Sequence, residues 1–163
     1  GEIPDPDGAA AHPTEVNLRA PALIPDDYLP DINTRLVLYK RIAAAANEEE
    51  LREIHVEMID RFGLLPQPCR NLFHTTETKL VAAALGISKI DVGERGGNFE
   101  FADQTQVNPM CLVKLVQEQP QVFRLTNGNR LRFDCELDDF HARLEFVEEL
   151  LKIMAVDSTE AAA

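Results

Sequence analysis

From Asn33 the apolar positions fall three or four residues apart, with Leu36, Tyr39, Ile42, Ala43 and Ala46 tracing one face of a helix. Asn47 followed by Glu50 has the form of a capping box, so a second helix starts there and meets the first in a short-linked αα-hairpin. It runs to Phe62, with Gly63 just past its end, where a residue of positive φ is favoured. A third helix is expected after Pro68, burying Leu72, Phe73, Thr76, Leu80 and Val81 and stopping at Gly86. The period then becomes two. "SKIDV" and "NFEF" alternate around the loop "GERGG", which predicts a hairpin. Asn108 and Pro109 open a short helix that ends before Pro120.

The second hairpin, "VFRLTNGNRLRF", has a register that can be read from its side chains. A two-residue Asn127-Gly128 turn would set Leu125 against Arg130. A three-residue loop, Asn127 to Asn129, pairs Leu125 with Leu131 and Phe123 with Phe133, and is expected. The last helix starts near Asp138 and shows Phe140, Leu144, Val147, Leu151 and Met154, with Phe146, Leu150 and Ile153 beside them. So broad an apolar face implies burial on a sheet. The whole order is three N-terminal helices followed by two β-hairpin-plus-helix units, which predicts an α+β fold with a mainly antiparallel sheet.

Residues 1–30 hold six of the ten prolines and are expected to be an extended, partly mobile arm. Within it "TEVNLRA" alternates like a strand but has no neighbouring partner, so it is expected to pair with something outside the chain. Residues 31–155 form the domain proper. Residues 156–163 are a tail expected to fray.

The formal net charge of -12 disfavours a general nucleic-acid binder or an anionic-membrane binder and points to basic partner surfaces. No run is apolar enough to span a bilayer, and the expected setting is the cytoplasm. Three cysteines and four histidines are scattered without metal-ligand spacing, so the thiols are expected to be reduced. There is no G-x-x-x-x-G-K-[ST] and no G-x-S-x-G, and "GERGGN" reads as a hairpin loop. The sequence therefore nominates no catalytic, cofactor-binding or metal-binding residue.

Two charged surfaces remain. In the second helix Leu51, Ile54, Met58 and Phe62 form the core-facing stripe, while Glu50, Glu53, Glu57 and Asp60 form an acidic one. Glu57 can pair with Arg61 at i+4, but Asp60 has no basic residue three or four places away. Both acids lie near the helix end that carries partial negative charge. The second surface is Arg124, Arg130 and Arg132, which share the outer face of the second hairpin in the expected register.

The runs "PDINTRLVLYKRIAAA", "VEMIDRFGLLP", "LGISKIDVGERGGNFEFADQTQVNP" and "QPQVFRL" together resemble the C-terminal domain of the bacterial transcription-repair coupling factors, the Mfd family. That resemblance implies a fragment of an ATP-driven DNA translocase, which displaces RNA polymerase stalled at lesions and recruits the excision-repair protein UvrA. It implies that this domain is noncatalytic and docks on the UvrB-like N-terminal module of the same polypeptide. Docked there, it covers the UvrA-binding surface and restrains activity. The family's acidic docking residues fall in "EMID", so that role carries to Glu57 and Asp60, with Glu53 beside them; arginines of the UvrB-like module are the expected partners. RNA polymerase and DNA are engaged by other domains, and no cofactor is implied here. The alternative is a recruiting module that holds a separate protein or nucleic acid through Arg124, Arg130 and Arg132.

Overall fold

The computed structural model describes residues 13–162, with side chains as far as residue 156. Its elements are β1 (Glu15–Asn17), α1 (Ile32–Ala44), α2 (Glu48–Phe62), α3 (Gln67–Leu85), β2 (Ile87–Gly93), β3 (Gly96–Phe101), α4 (Pro109–Glu118), β4 (Phe123–Thr126), β5 (Arg130–Asp134) and α5 (Phe140–Ala162). This is the α+β order that the apolar pattern predicts. Two compact units share the chain: one contains the residues up to Arg19 and those from Val81 onward, the other Ala20–Leu80. The opening segment expected to be mobile lies, through residue 12, outside the described residues.

The first unit is built on a sheet of order β1-β2-β3-β5-β4, antiparallel except between β1 and β2. In the second hairpin Phe123 faces Phe133 and Leu125 faces Leu131, as expected of the three-residue loop. Asn127 and Gly128 both take positive φ, a conformation that asparagine and glycine adopt most readily. One sheet face is apolar: Ile90, Val92, Phe99, Leu131 and Phe133 share a buried cluster with Leu112 and Leu115 of α4 and Val147, Leu150 and Met154 of α5. Each of these large side chains contributes roughly 1.5–3 kcal/mol by leaving water. The broad face of α5 is thus accounted for, and the helix continues to Ala162, across the segment expected to fray.

The expectation that "TEVNLRA" pairs outside the chain is overturned. β1 joins the sheet edge in parallel, with Val16 beside Ile90. Parallel neighbours are joined by a crossover and not by a turn, so the local sequence gives no sign of the partner. Side chains fasten the segment at both ends. Thr14 Oγ1 donates to the Ile87 carbonyl at 2.9 Å, and Arg19 forks onto Asp91 at 2.9 and 3.0 Å. The buried Arg143 donates to the carbonyls of Leu18, Arg19, Leu137 and Asp138 at 3.0–3.3 Å. The nearest carboxylate, on Glu94, is 4.0 Å away.

The second unit is helical. Asp31 caps α1 through the Thr34 N–H, and Asn47 caps α2 through the Glu50 N–H. Glu50 in turn accepts from the Ala46 N–H at 2.8 Å, the reciprocal bond of a capping box displaced by one residue. Gly63 closes α2 with φ +97°. The stripe expected for α1 holds at Ile42 and at the partly buried Tyr39 but not at its other three positions. Leu38, Ile42 and Ala45 are buried, whereas Leu36, Ala43 and Ala46 are exposed. "RLVLYKRIAA" offers two apolar faces with helical spacing, and packing against α2 and α3 selects the second. Leu38 and Ile42 share a core with Leu51, Ile54, Met58, Cys69 and Phe73, completed by Ile24 and Leu29 from the irregular segment before α1.

Candidate functional site

Three buried side chains, Leu51, Ile54 and Met58, fix the rotation of α2 about its axis. At 100° per residue the opposite side carries Glu49, Arg52, Glu53, Val56 and Asp60. These residues, with Glu57 and Arg61, line a shallow concavity of about 600 Å³. Val56 is 53% exposed in the middle of it. An apolar side chain ringed by charge on a rigid helix suits a partner that presents a small apolar contact among cations.

The acids predicted from sequence separate into two kinds. Glu57 is held from both sides: Arg41 of α1 donates to both of its carboxylate oxygens at 2.8 and 2.9 Å, and Arg61 donates at 3.1 Å. Arg61 also lies over the Phe62 ring, 4.7 Å from its centroid. The Arg41 bonds, and after them those of Arg61, pull the Glu57 carboxyl down from 4.5 to about 2. Asp60 and Glu53 are exposed and make no ion pair or side-chain hydrogen bond among the described residues. The local Arg61 partner was foreseeable; Arg41 was not. Nothing in the α1 sequence tells which of its faces turns toward Glu57. Val56 is the functional candidate that the charge pattern does not reveal, although its place well off the Leu51–Ile54–Met58 stripe is legible in the sequence.

A depressed folded-state pKa means that the Glu57 contribution is fully present above its ordinary 4.5 and is lost as pH falls through about 2. Arg41→Met is expected to return the carboxyl toward its ordinary value and to flatten the acid limb of the stability profile. Carboxyl-detected NMR titration of Glu57 reads this directly, and an unchanged titration would show that Arg41 does not hold the group in solution.

The predicted arginine trio is divided in the same way. Arg124 pairs with Asp134 at 3.3 Å and Arg130 with Glu100 at 3.0 Å, while Arg132 is exposed and unpaired among the described residues. No group of His, Cys, Asp or Glu among the described residues is arranged to hold a metal ion, and no helix there is long and apolar enough to cross a membrane.

The TRCF domain model matches residues 18–112, more than half of the chain and the whole of α2. The chain belongs to the TRCF domain family. This TRCF domain is 47% identical over 152 residues to the transcription-repair-coupling factor of Escherichia coli (strain K12), a match that covers 93% of the chain and 13% of that protein. It is 44% identical over 155 residues to the transcription-repair-coupling factor of Haemophilus influenzae, covering 95% of the chain and 14% of that protein. The chain therefore spans about a seventh of the length of these relatives. Its fold is that of a crystal structure of the C-terminal domain of a transcription-repair coupling factor. The TM-score is 0.68 at 21% identity, over 88% of this chain and 95% of that one.

Proposed function

We propose that the chain is a noncatalytic, autoinhibitory docking domain of a transcription-repair coupling factor. The acidic face of α2 docks on the UvrB-like module of the same polypeptide and covers the surface that UvrA would bind. The parent is an ATP-driven DNA translocase that displaces stalled RNA polymerase and recruits excision repair in the cytoplasm. Family membership supports the parent's identity. The observation that carries the docking role is the outward face of α2, where Asp60 and Glu53 stand unpaired around the exposed Val56.

The geometry ranks the acids. Glu57 already has both oxygens on arginine, so it offers a fixed ion cluster. Asp60 offers a free carboxylate. An arginine from the UvrB-like module gains most from Asp60, since truncating one member of a desolvated pair commonly costs ~2–5 kcal/mol. Mixing this chain with the separate UvrB-like module should show Asp60→Ala weakening association more than Glu57→Ala. Val56→Asp should also weaken it, by placing a charge where an apolar contact closes. In the full-length protein, Glu57→Ala with Asp60→Ala should leave the UvrA site open without competition. Equal affinities for wild type and the double variant would end the proposed role of the pair.

A further inference from the structure

The outward side of α1 is apolar. Ile32, Leu36 and Val37 are 58%, 52% and 55% exposed within two turns, and the exposed Ala43 and Ala44 continue the same side toward the helix end. At 100° per residue these five positions fall within an arc of about 140°. Leu36 and Ala43 are among the positions that spacing alone assigns to the core, and packing turns them to solvent. The surface they make is rigid, because Asp31 caps the helix and the buried Leu38 and Ile42 anchor its opposite side. Single exposed apolar side chains are ordinary, whereas a contiguous group of them marks a surface that something covers.

Charge gives a second observation on the same surface. α1 contains no acidic residue. Arg35 is engaged with the Leu29 and Pro30 carbonyls, and Arg41 with Glu57. Lys40 stands near the middle of the apolar arc, exposed and without an ion pair among the described residues.

We propose that this side of α1 receives a largely apolar helix of another protein, which carries one carboxylate opposite Lys40. The backbone groups within α1 are spent on its own hydrogen bonds, so a segment laid across it must satisfy its own backbone. A helix does so and an extended strand does not. Ala43 and Ala44 let the two helix axes approach closely at one end. Lys40, once covered by apolar surface, has to meet an acid, because an unpaired buried charge is strongly disfavoured. A second copy of the chain supplies no such acid, since two α1 surfaces placed together oppose lysine to lysine. An anionic bilayer is disfavoured by the net charge of -12. The inference rests on α1 and not on the docking role proposed for α2.

The probe is a fluorescent helical peptide with leucines spaced three and four apart, one central glutamate, and glutamine and alanine elsewhere. A second peptide has lysine in place of the glutamate. Anisotropy reads binding to the whole chain, and methyl NMR reads its place. The glutamate peptide should bind saturably, shift the Leu36 and Val37 methyl signals, and bind more tightly than the lysine peptide. The net charge of -12 favours the lysine peptide at a distance, so the expected preference is a local reading of Lys40. Leu36→Gln with Val37→Gln should weaken binding about tenfold, and Lys40→Gln should abolish the preference for glutamate. All three side chains are exposed, so unchanged melting points are expected of these variants. Met110→Gln alters an exposed apolar residue of α4 and should leave binding as it was. The proposal is overturned by absence of binding, by an equal loss in Met110→Gln, or by a preference of the wild type for the lysine peptide. It is also overturned if vesicles of equal parts phosphatidylglycerol and phosphatidylcholine shift the same methyl signals in place of the peptide. Self-association of the chain that Leu36→Gln with Val37→Gln abolishes would give this surface to a second copy instead.

Discussion

Arg143→Met is expected to destabilise the sheet-containing unit by about 3 kcal/mol or more, seen as an earlier midpoint in urea unfolding. Methionine fills much of the same volume, so the loss is one of hydrogen bonds and not of packing. The guanidinium serves four backbone carbonyls, those of Leu18, Arg19, Leu137 and Asp138, and it is buried. A hydrogen bond to a charged group contributes ~1.5–3 kcal/mol, and each carbonyl left dry adds a desolvation cost. Those contributions do not sum, because bonds that share one guanidinium are not independent of one another. Arg143→Lys should recover only part of the loss, since one ammonium cannot reach acceptors spread around a planar fork. Hydrogen exchange gives the second readout: the amides of β1 should exchange faster by a larger factor than those of β3. A midpoint shift equivalent to less than 1 kcal/mol would mean that the arginine is incidental to the edge strand.

Gly97→Ala is expected to be at least as damaging, beyond the ~1–3 kcal/mol usual for overpacking. A Cβ there would collide with the Asp91 carbonyl oxygen and approach the Val92 Cα to 2.7 Å. Both are backbone, so no rotamer change relieves the clash. The hairpin itself has to open, and Val92 and Phe99, buried on either side of the joint, would open with it. Gly128→Ala is the contrast: its added Cβ meets nothing within 4 Å, and only the φ of +77° opposes it. Paired thermal melts of the two variants separate steric from conformational cost. Similar melting points would show that the close approach at Gly97 is soft.

Local chemistry made much of this fold legible. Asn47 and Gly63 bracket α2 because a cap needs only its own neighbours, and the second hairpin could be registered because one choice of loop mixes leucine with arginine. Where packing between distant segments decides, the sequence was silent or misleading. α1 carries two apolar faces, and only its neighbours tell which is turned inward. β1 finds its partner across a crossover without any turn signal. The candidate site divides along the same line. Asp60 lacks a cation within its own helix, and the structure supplies none among the described residues. Glu57 lacked a visible second partner, and α1 supplies Arg41. Alternation alone groups Arg132 with Arg124 and Arg130, and the carboxylates that set those two apart lie on other strands or farther along β5.

The parallel edge strand also bears on how the protein is made. β1 leaves the ribosome before anything that holds it exists: Ile90 follows Val16 by more than 70 residues, and Arg143 follows Leu18 by 125. At ~5–20 residues per second β1 waits of the order of 4–15 s for its first partner, and longer for the guanidinium that locks it. Ala20–Leu80, whose core is contiguous in sequence, can fold during that interval. Translation that stalls between residues 93 and 143 therefore leaves strands with unpaired edges, in a nascent chain whose helical unit is already complete.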